Sequence, residues 1–359
     1  MHQIKKISFL FLLISILFVT SGCVSVKSTK DTSNVDGGIF KTFNKGDTWQ
    51  QKVLIPTTSG KPGSFAGMSV SSMIIDPSDE KAVYFGSEAN GLLYSYNGGE
   101  GWQPAGKLIQ ATIKSIAIDP SFKCTIYAAI GNRLYKSTDC NRSWSQVYYD
   151  NDVAAKVVHV VVDQYNSSNV YILISRGDVV KSSNGGQDWQ TITRIKGGVQ
   201  KMIINPNDSR KMYVVTSTQV FKTIDGGENW EEFNSLQDKM KELKLSNDIK
   251  DFVVTKSEEE KIFVATFYGL IKSSDGGNNW EKIELIPPEK KATINAIAIN
   301  EKNPNEIYYV TNTTFFRSQD GGQNWATKKL PTTKAGWALL IDPTDPNIIY
   351  MGVKGFEKK

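Results

Sequence analysis

Few side chains in this sequence could run a reaction. Histidine occurs twice, at His2 and His159, and there are three cysteines, Cys23, Cys124 and Cys140. No His/Cys/Asp/Glu set has metal-ligand spacing, no phosphate loop is present and no Ser/His/Asp array stands out, so no metal or other cofactor is expected. Acids or amides recur before proline, at Asp76-Pro77, Asp119-Pro120, Asn205-Pro206 and Asp342-Pro343. Such side chains bond their own backbone and start turns, so no catalytic role is assigned to them. What remains is recognition chemistry. Lys114, Arg133, His159, Arg176, Lys201 and Lys250 could meet anionic or carbonyl groups, and Phe267, Tyr268 and Trp337 could stack on a flat partner. Their use depends on the elements that carry them.

Those elements are announced by an eight-residue phrase, Ser/Thr-x-Asp/Asn-x-Gly-x-x-Trp, which occurs seven times. Its clearest copy is Ser273 to Trp280. The third position is Asn44, Asn97, Asp139, Asn184, Asp225, Asp275 and Asp320 in turn, and the last is Trp49, Trp102, Trp144, Trp189, Trp230, Trp280 and Trp325. The steps between tryptophans run from 41 to 53 residues, a repeat period. The Asp or Asn makes a side-chain turn, and the glycine two positions on supplies the positive φ of a tight hairpin. In one copy Asn141 replaces that glycine; Asn is the next-best residue for the conformation. The tryptophan then opens the next strand, and burying its ring removes roughly 150–250 Å² from water, a gross upper value of about 4–6 kcal/mol. Seven of eight tryptophans are used this way, so they read as structural.

Strand counting follows. Residues 249–285 read as strand, strand, strand, box and fourth strand (IKDFVV, KIFVATF, GLIKSS, WEKIEL). Continuous apolar runs such as VVHVVV (157–162) suit inner strands buried on both faces. Six complete units end near residues 108, 150, 195, 235, 285 and 330. A seventh has two strands at the C-terminus, 337–342 and 348–353, and two spare ones around the first box. Joining them removes exposed edges and closes a ring. The expectation is an all-β, single seven-bladed β-propeller, four antiparallel strands per blade, closed by N- and C-terminal strands in one blade. Gly355-Phe356 could begin a competing third strand. Two insertions break the period: a Gly/Pro-bearing loop at 54–68, and residues 235–245 with Leu236, Met240 and Leu243 at helical spacing and Asn234 or Ser235 as cap. The short helix reads as a rim cover or as a partner-binding element.

The phrases resemble Asp-boxes, the turn motif of the BNR-repeat β-propellers. That superfamily includes sialidases, xyloglucan hydrolases, the sortilin-type receptor domain and the photosystem II stability/assembly factor family. The resemblance covers residues 37–353. A sialidase-like site would need three converging arginines with a Tyr nucleophile; the chain has six arginines, and Arg142 and Arg317 lie in or beside boxes. The Arg-Ile-Pro signature is absent, Ile286-Pro287 following Leu285 instead. A xyloglucanase-like enzyme would use two acids across a cleft between two propellers. A sortilin-like domain needs more blades and a Cys-rich companion. Resemblance to the assembly-factor family implies a non-catalytic platform that binds a membrane-protein intermediate through an arginine-rich patch, although this chain favours Lys over Arg. The expected partner is a protein, such as an intermediate of that kind, or a cell-surface polymer. A glycan-acting protein, hydrolase or lectin, is the alternative.

The N-terminus bears on location. Lys5 and Lys6 precede an apolar run from Ile7 to Val19, then Thr20-Ser21-Gly22-Cys23. This reads as an export signal over residues 1–22 with a bacterial lipobox, Cys23 becoming the lipidated first residue; an uncleaved membrane anchor is the other reading. Residues 23–36 then form a lipidated tether and 37–359 the propeller, a monomer exported to the cell envelope. Cleavage removes two lysines and no acid, taking the formal charge from +5 to +3, too mild for nucleic acid. Cys124 and Cys140 flank a hairpin turning near Gly131-Asn132, which suits a disulfide, with two free thiols as the alternative.

In such a ring the boxes lie on one face, and the channel-mouth face opposite should hold any ligand. Aligning the inner strands puts Lys114, Gln200, Lys250, Asn295 and Trp337 at one early position, and Ser115, His159, Lys201 and Asp251 at the next. Nearby turns add Arg133, Arg176 and Asp178, Phe267 and Tyr268, and Lys354. The cations form a candidate patch over blades two to five, or else scattered solvated charge. Arg176-Gly177-Asp178 spells an adhesion tripeptide, but chance and simple turn chemistry explain it better.

Overall fold

The computed structural model describes residues 35–257, 259–286 and 293–355. Cys23, the segment 1–22, Pro287 and Phe356 lie outside the described residues.

The strands form seven four-stranded antiparallel sheets, six of them running in chain order from an inner to an outer strand. Six are continuous in sequence, with inner strands Val70–Asp76, Ser115–Ile118, Val157–Val162, Val199–Ile204, Ile249–Val254 and Ala296–Ile299. The seventh has Ala335–Ile341 inside and Ile349–Lys354 second, then Ile39–Thr42 and Gln50–Gln51 from the other end of the chain. Closure rests on the register Ile39 to Gly352 and Thr42 to Ile349. This is the seven-bladed propeller expected from the repeat count. The second strands are almost wholly buried, for example Val170–Ile174 and Ile262–Thr266, because each blade packs on both neighbours.

The box turns share one geometry. The Ser273 hydroxyl donates to Asp275 Oδ1 (2.8 Å) and accepts the Gly277 N–H (2.8 Å), while Asp275 Oδ1 accepts the Asn279 N–H (2.9 Å). Positions four and five both have positive φ, as at Gly276 and Gly277, and the divergent copy holds it with Cys140 and Asn141. In every copy the fourth-position N–H bonds a carbonyl in its own blade's first turn, as Gly276 to Glu260 and Gly185 to Ser168. In the second blade that pair is Cys140 and Cys124, and the structure joins them in a disulfide.

The boxes also fasten each blade to the one before it. The carbonyl of Gly185 accepts Lys136 Nζ (2.7 Å) and Tyr127 Oη (3.0 Å) from the preceding blade. Gly98 accepts Lys41 Nζ (2.7 Å) and Tyr350 Oη (3.0 Å) across the closure. Of the seven tryptophans, Trp102, Trp144 and Trp280 are buried and the other four half-buried, so the full-burial figure holds for three.

Both insertions are ordered. Residues 54–68 contain a two-stranded hairpin, Leu54–Ile55 with Gly63–Ser64, where a loop was expected. The helix is Asn234–Glu242, and Leu236 and Met240 fill a core between the fourth and fifth blades. Neither Asn234 nor Ser235 caps it: Phe233 sits at the cap, and the Ser235 hydroxyl bonds the Gly277 carbonyl instead.

Candidate functional site

A cavity of about 1200 Å³ opens where the seven inner strands converge. Its rim is made by a repeated irregularity. The register slips at Val70/Ser72, Val157/His159, Val199/Lys201, Ile249/Asp251 and Gly336/Ala338, leaving Ser71, Val158, Gln200, Lys250 and Trp337 as bulged residues. The other two blades do the same just before the strand: Lys114 N–H donates to Ala129 O although Ser115 is Ala129's partner, and Asn295 N–H donates to Val310 O although Ala296 is its partner. A bulge re-aims the extra side chain, so each blade shows one residue to the channel mouth. All seven line the cavity, and each follows a buried residue that anchors the strand.

The next position has a different task. Ser115 Oγ accepts the Val160 N–H (3.1 Å), His159 Nδ1 the Met202 N–H (3.4 Å), and Asp251 Oδ2 the Ile297 N–H (3.3 Å). Lys201 Nζ donates to Phe252 O (3.3 Å) and pairs with Asp251 Oδ1 (2.8 Å). Each bond runs from one inner strand to the next blade's, and satisfies backbone groups on edges that no strand covers. His159 stays neutral there: burial first, then the Lys201 ammonium, pull its pKa down to about 3. His159 and Lys201 line the cavity but are engaged as clamps.

At the rim two aromatic faces lie under ammonium groups. Lys354 Nζ sits 4.6 Å over the Trp337 ring and pairs with Glu88 (2.7 Å). Lys250 Nζ sits 4.7 Å over Phe267 and pairs with Asp248 (2.6 Å). Trp337 is 40% exposed. Lys114 is exposed, and its ammonium has no hydrogen-bond or ion-pair partner among the described residues. No carboxylate among the described residues lines the cavity.

The cations chosen from sequence thus fall into two places. Lys114, His159, Lys201 and Lys250 meet at the cavity with Phe267 and Trp337. Tyr268 packs edge-on against Phe267 outside its wall. Arg133 and Arg176 lie elsewhere: Arg133 stands over the Tyr149 ring, and Arg176 lines a groove with Tyr148, Asp150 and Arg194. There Arg176 bonds both oxygens of Asp150 (2.9 and 2.7 Å) and Asp178 Oδ2 (2.6 Å), and Arg194 holds the other Asp178 oxygen. The Arg176 side chain keeps Asp150 below the usual carboxylate range. Asp178 is 1% exposed, so Arg176-Gly177-Asp178 cannot be offered to a receptor as an adhesion loop. Sequence reading missed Ser71, Val158 and Arg194. The first two were findable by extending the alignment of residues that follow a buried apolar anchor; nothing local marked Arg194.

The family model of the DUF6242 beta propeller domain matches residues 109–356. The chain belongs to this family. No curated protein sequence matches it. Among solved structures, "YCF48 bound to D1 peptide" is similar at 16% identity and TM-score 0.62, over 84% of this chain and 95% of that one. YCF48 from Cyanidioschyzon merolae is similar at 11% identity and TM-score 0.60, over 83% and 97%. A GH74 xyloglucanase from Xanthomonas campestris is similar at 16% identity and TM-score 0.64, over 80% of this chain and 51% of the enzyme. At such identities the likeness is one of fold. Among the described residues no group of three or more His, Cys, Asp or Glu could hold a metal ion, and no helix is long and apolar enough to cross a membrane.

Proposed function

We propose that the channel mouth is a docking platform for a protein partner and that the protein works by binding, without catalysis. The observation that carries this is the composition of the wall: seven displayed side chains, two aromatic faces and an unpaired ammonium, with no carboxylate among the described residues. Most glycoside hydrolases use two carboxyl groups flanking the bond, and among the described residues none lines this cavity. The neighbour that carries a D1 peptide supports protein as the class of partner, a membrane-protein assembly intermediate being one form of it. Export, lipidation at Cys23 and a tether over 23–36 belong to the same proposal, and would hold the platform beside a membrane.

A photo-cross-linking residue at position 158 should trap a protein in cells, and Lys114→Glu with Trp337→Ala should abolish the adduct. An unchanged adduct in that variant would remove the mouth from the reading. A second reading, a glycan-acting protein, is favoured by Trp337, exposed at the same mouth that Gln200 and Asn295 line. A hydrolysis and glycan-array screen decides between them, and turnover of any glycoside would overturn the binding-only reading.

A further inference from the structure

The cavity is not symmetrical. Below the rim its wall comes from the first three blades alone, through Met73, Ile74, Ile116, Ile118, Val160 and Val162. The fourth to seventh blades contribute little beyond the mouth, including the Gln200 and Asn295 amides and Trp337. Lys114 stands at the entrance on the second blade, directly above that aliphatic wall, and its ammonium has no partner among the described residues. The other lysines that line the cavity, Lys201, Lys250 and Lys354, each hold an acid that lies outside the wall. Among the described residues this is an apolar recess beside one uncommitted cation, at a mouth lined by no carboxylate, and it selects a complementary pair of groups.

We infer that the docked element is a peptide segment carrying a large aliphatic or aromatic side chain next to an Asp or Glu. The apolar side chain enters the recess formed by the first three blades, and the carboxylate meets Lys114. The inference rests on the docking reading above and narrows it to a chemistry. The volume agrees with a chain segment, since it exceeds the roughly 300–1,000 Å³ of ordinary small-molecule sites. An apolar anchor in a desolvated pocket would supply most of the affinity, and the charge pair would fix the direction of entry.

The test is selection of random twelve-residue displayed peptides on the immobilised full chain, with affinities of recovered peptides measured by fluorescence anisotropy. Recovered sequences should be enriched in an acidic residue adjacent to Leu, Ile, Met or Phe. Replacing that acid by its amide, or making Lys114→Glu, should weaken binding by about tenfold or more. Ile74→Asn should weaken peptides with the apolar residue and leave those lacking it unchanged; Met73→Asn, at the half-buried neighbouring position of the same wall, serves if Ile74→Asn fails to fold, as judged by circular dichroism. Peptides recovered without the acidic-apolar pair, or indifferent to Lys114→Glu, overturn the inference and leave docking standing. No enrichment of any peptide overturns the docking reading and the inference with it.

Discussion

The arginine most easily mistaken for a ligand is Arg176, and its replacement separates recognition from architecture. Three charge-assisted bonds leave its guanidinium, at 2.9, 2.7 and 2.6 Å, for carboxylates that are 6% and 1% exposed. Removing one partner of a buried pair costs about 3–5 kcal/mol, because the charge left behind stays desolvated. Arg176 itself is 35% exposed, which admits water and lowers the expectation to about 2–3 kcal/mol for Arg176→Met at pH 7. The pH dependence has a definite sign. In the native protein the Asp150 pKa is depressed, chiefly by the bond from Arg176. It therefore contributes stability above the unfolded carboxylate value, near 3.9, that is lost as pH falls through the lower folded value. In the variant the Asp152 N–H and the Tyr148 hydroxyl still bond Asp150, but the largest lowering influence is gone, so its pKa rises above that of the native protein and protonation relieves the strain at a higher pH. The penalty should shrink between pH 7 and pH 4. Urea unfolding followed by tryptophan fluorescence at both pH values measures it, and Asp150→Asn completes a double-mutant cycle. A penalty below about 1 kcal/mol, or one that is equal at the two pH values, would refute the view that Arg176 is a structural clamp.

Other outcomes follow from the repeats. Ser273→Ala removes one donor and one acceptor from a box turn and should lower stability by about 1–2 kcal/mol in chemical unfolding. Asp139, Asp225, Asp275 and Asp320 all have lowered pKa values, held by bonds from Ser143 and from the backbone N–H groups of Asn229, Asn279 and Asn324; Asp139 and Asp320 fall to about 2. Their contribution is complete above the unfolded carboxylate value and fades as pH falls toward 2, so the melting temperature should drop steeply below pH 4. Gly177→Ala places a Cβ against the Ile195 carbonyl at a φ of +107°, and should destabilise by about 2 kcal/mol or more without touching the mouth. Cys23→Ser should move the protein from the membrane fraction to the soluble one, and unchanged fractionation would remove the anchor from the proposal.

The fold was legible because its determinants are local and repeated. A turn that needs a hydroxyl, a carboxamide or carboxylate and two left-handed residues writes itself into eight positions, and counting strands between copies gave the blade number and the closure. The site was legible only in outline. Alignment of inner strands put Lys114, Gln200, Lys250, Asn295 and Trp337 together, and all five line the mouth. It could not tell display from clamping, because that depends on a bulge, and a bulge is a relation between two strands. Lys201 and Lys250 look alike in sequence, yet one ties Asp251 and the next blade's backbone while the other covers an aromatic ring. Arg133 and Arg176 were grouped with them on charge alone, which carries no information about radius from the axis. The helix cap failed for a similar reason: the Ser235 hydroxyl had a better acceptor in the neighbouring box.

The sharing of the seventh blade between the chain ends has a kinetic consequence. Ile39 waits for Gly352, about 300 residues later. At ordinary synthesis rates of about 5–20 residues per second, the strand Ile39–Thr42 emerges roughly 15–60 s before the strand it pairs with exists. During that interval Ile39 can already pack on Phe65 and Val70, but Phe40, whose native neighbours lie in the last two blades, must be shielded by something else. Six blades can mature one after another, each on its predecessor, but the circle shuts only when the last strand arrives. A ribosome that stops short of residue 349 therefore releases an open arc with two sticky ends, a substrate for chaperones and proteases and a seed for head-to-tail association between copies.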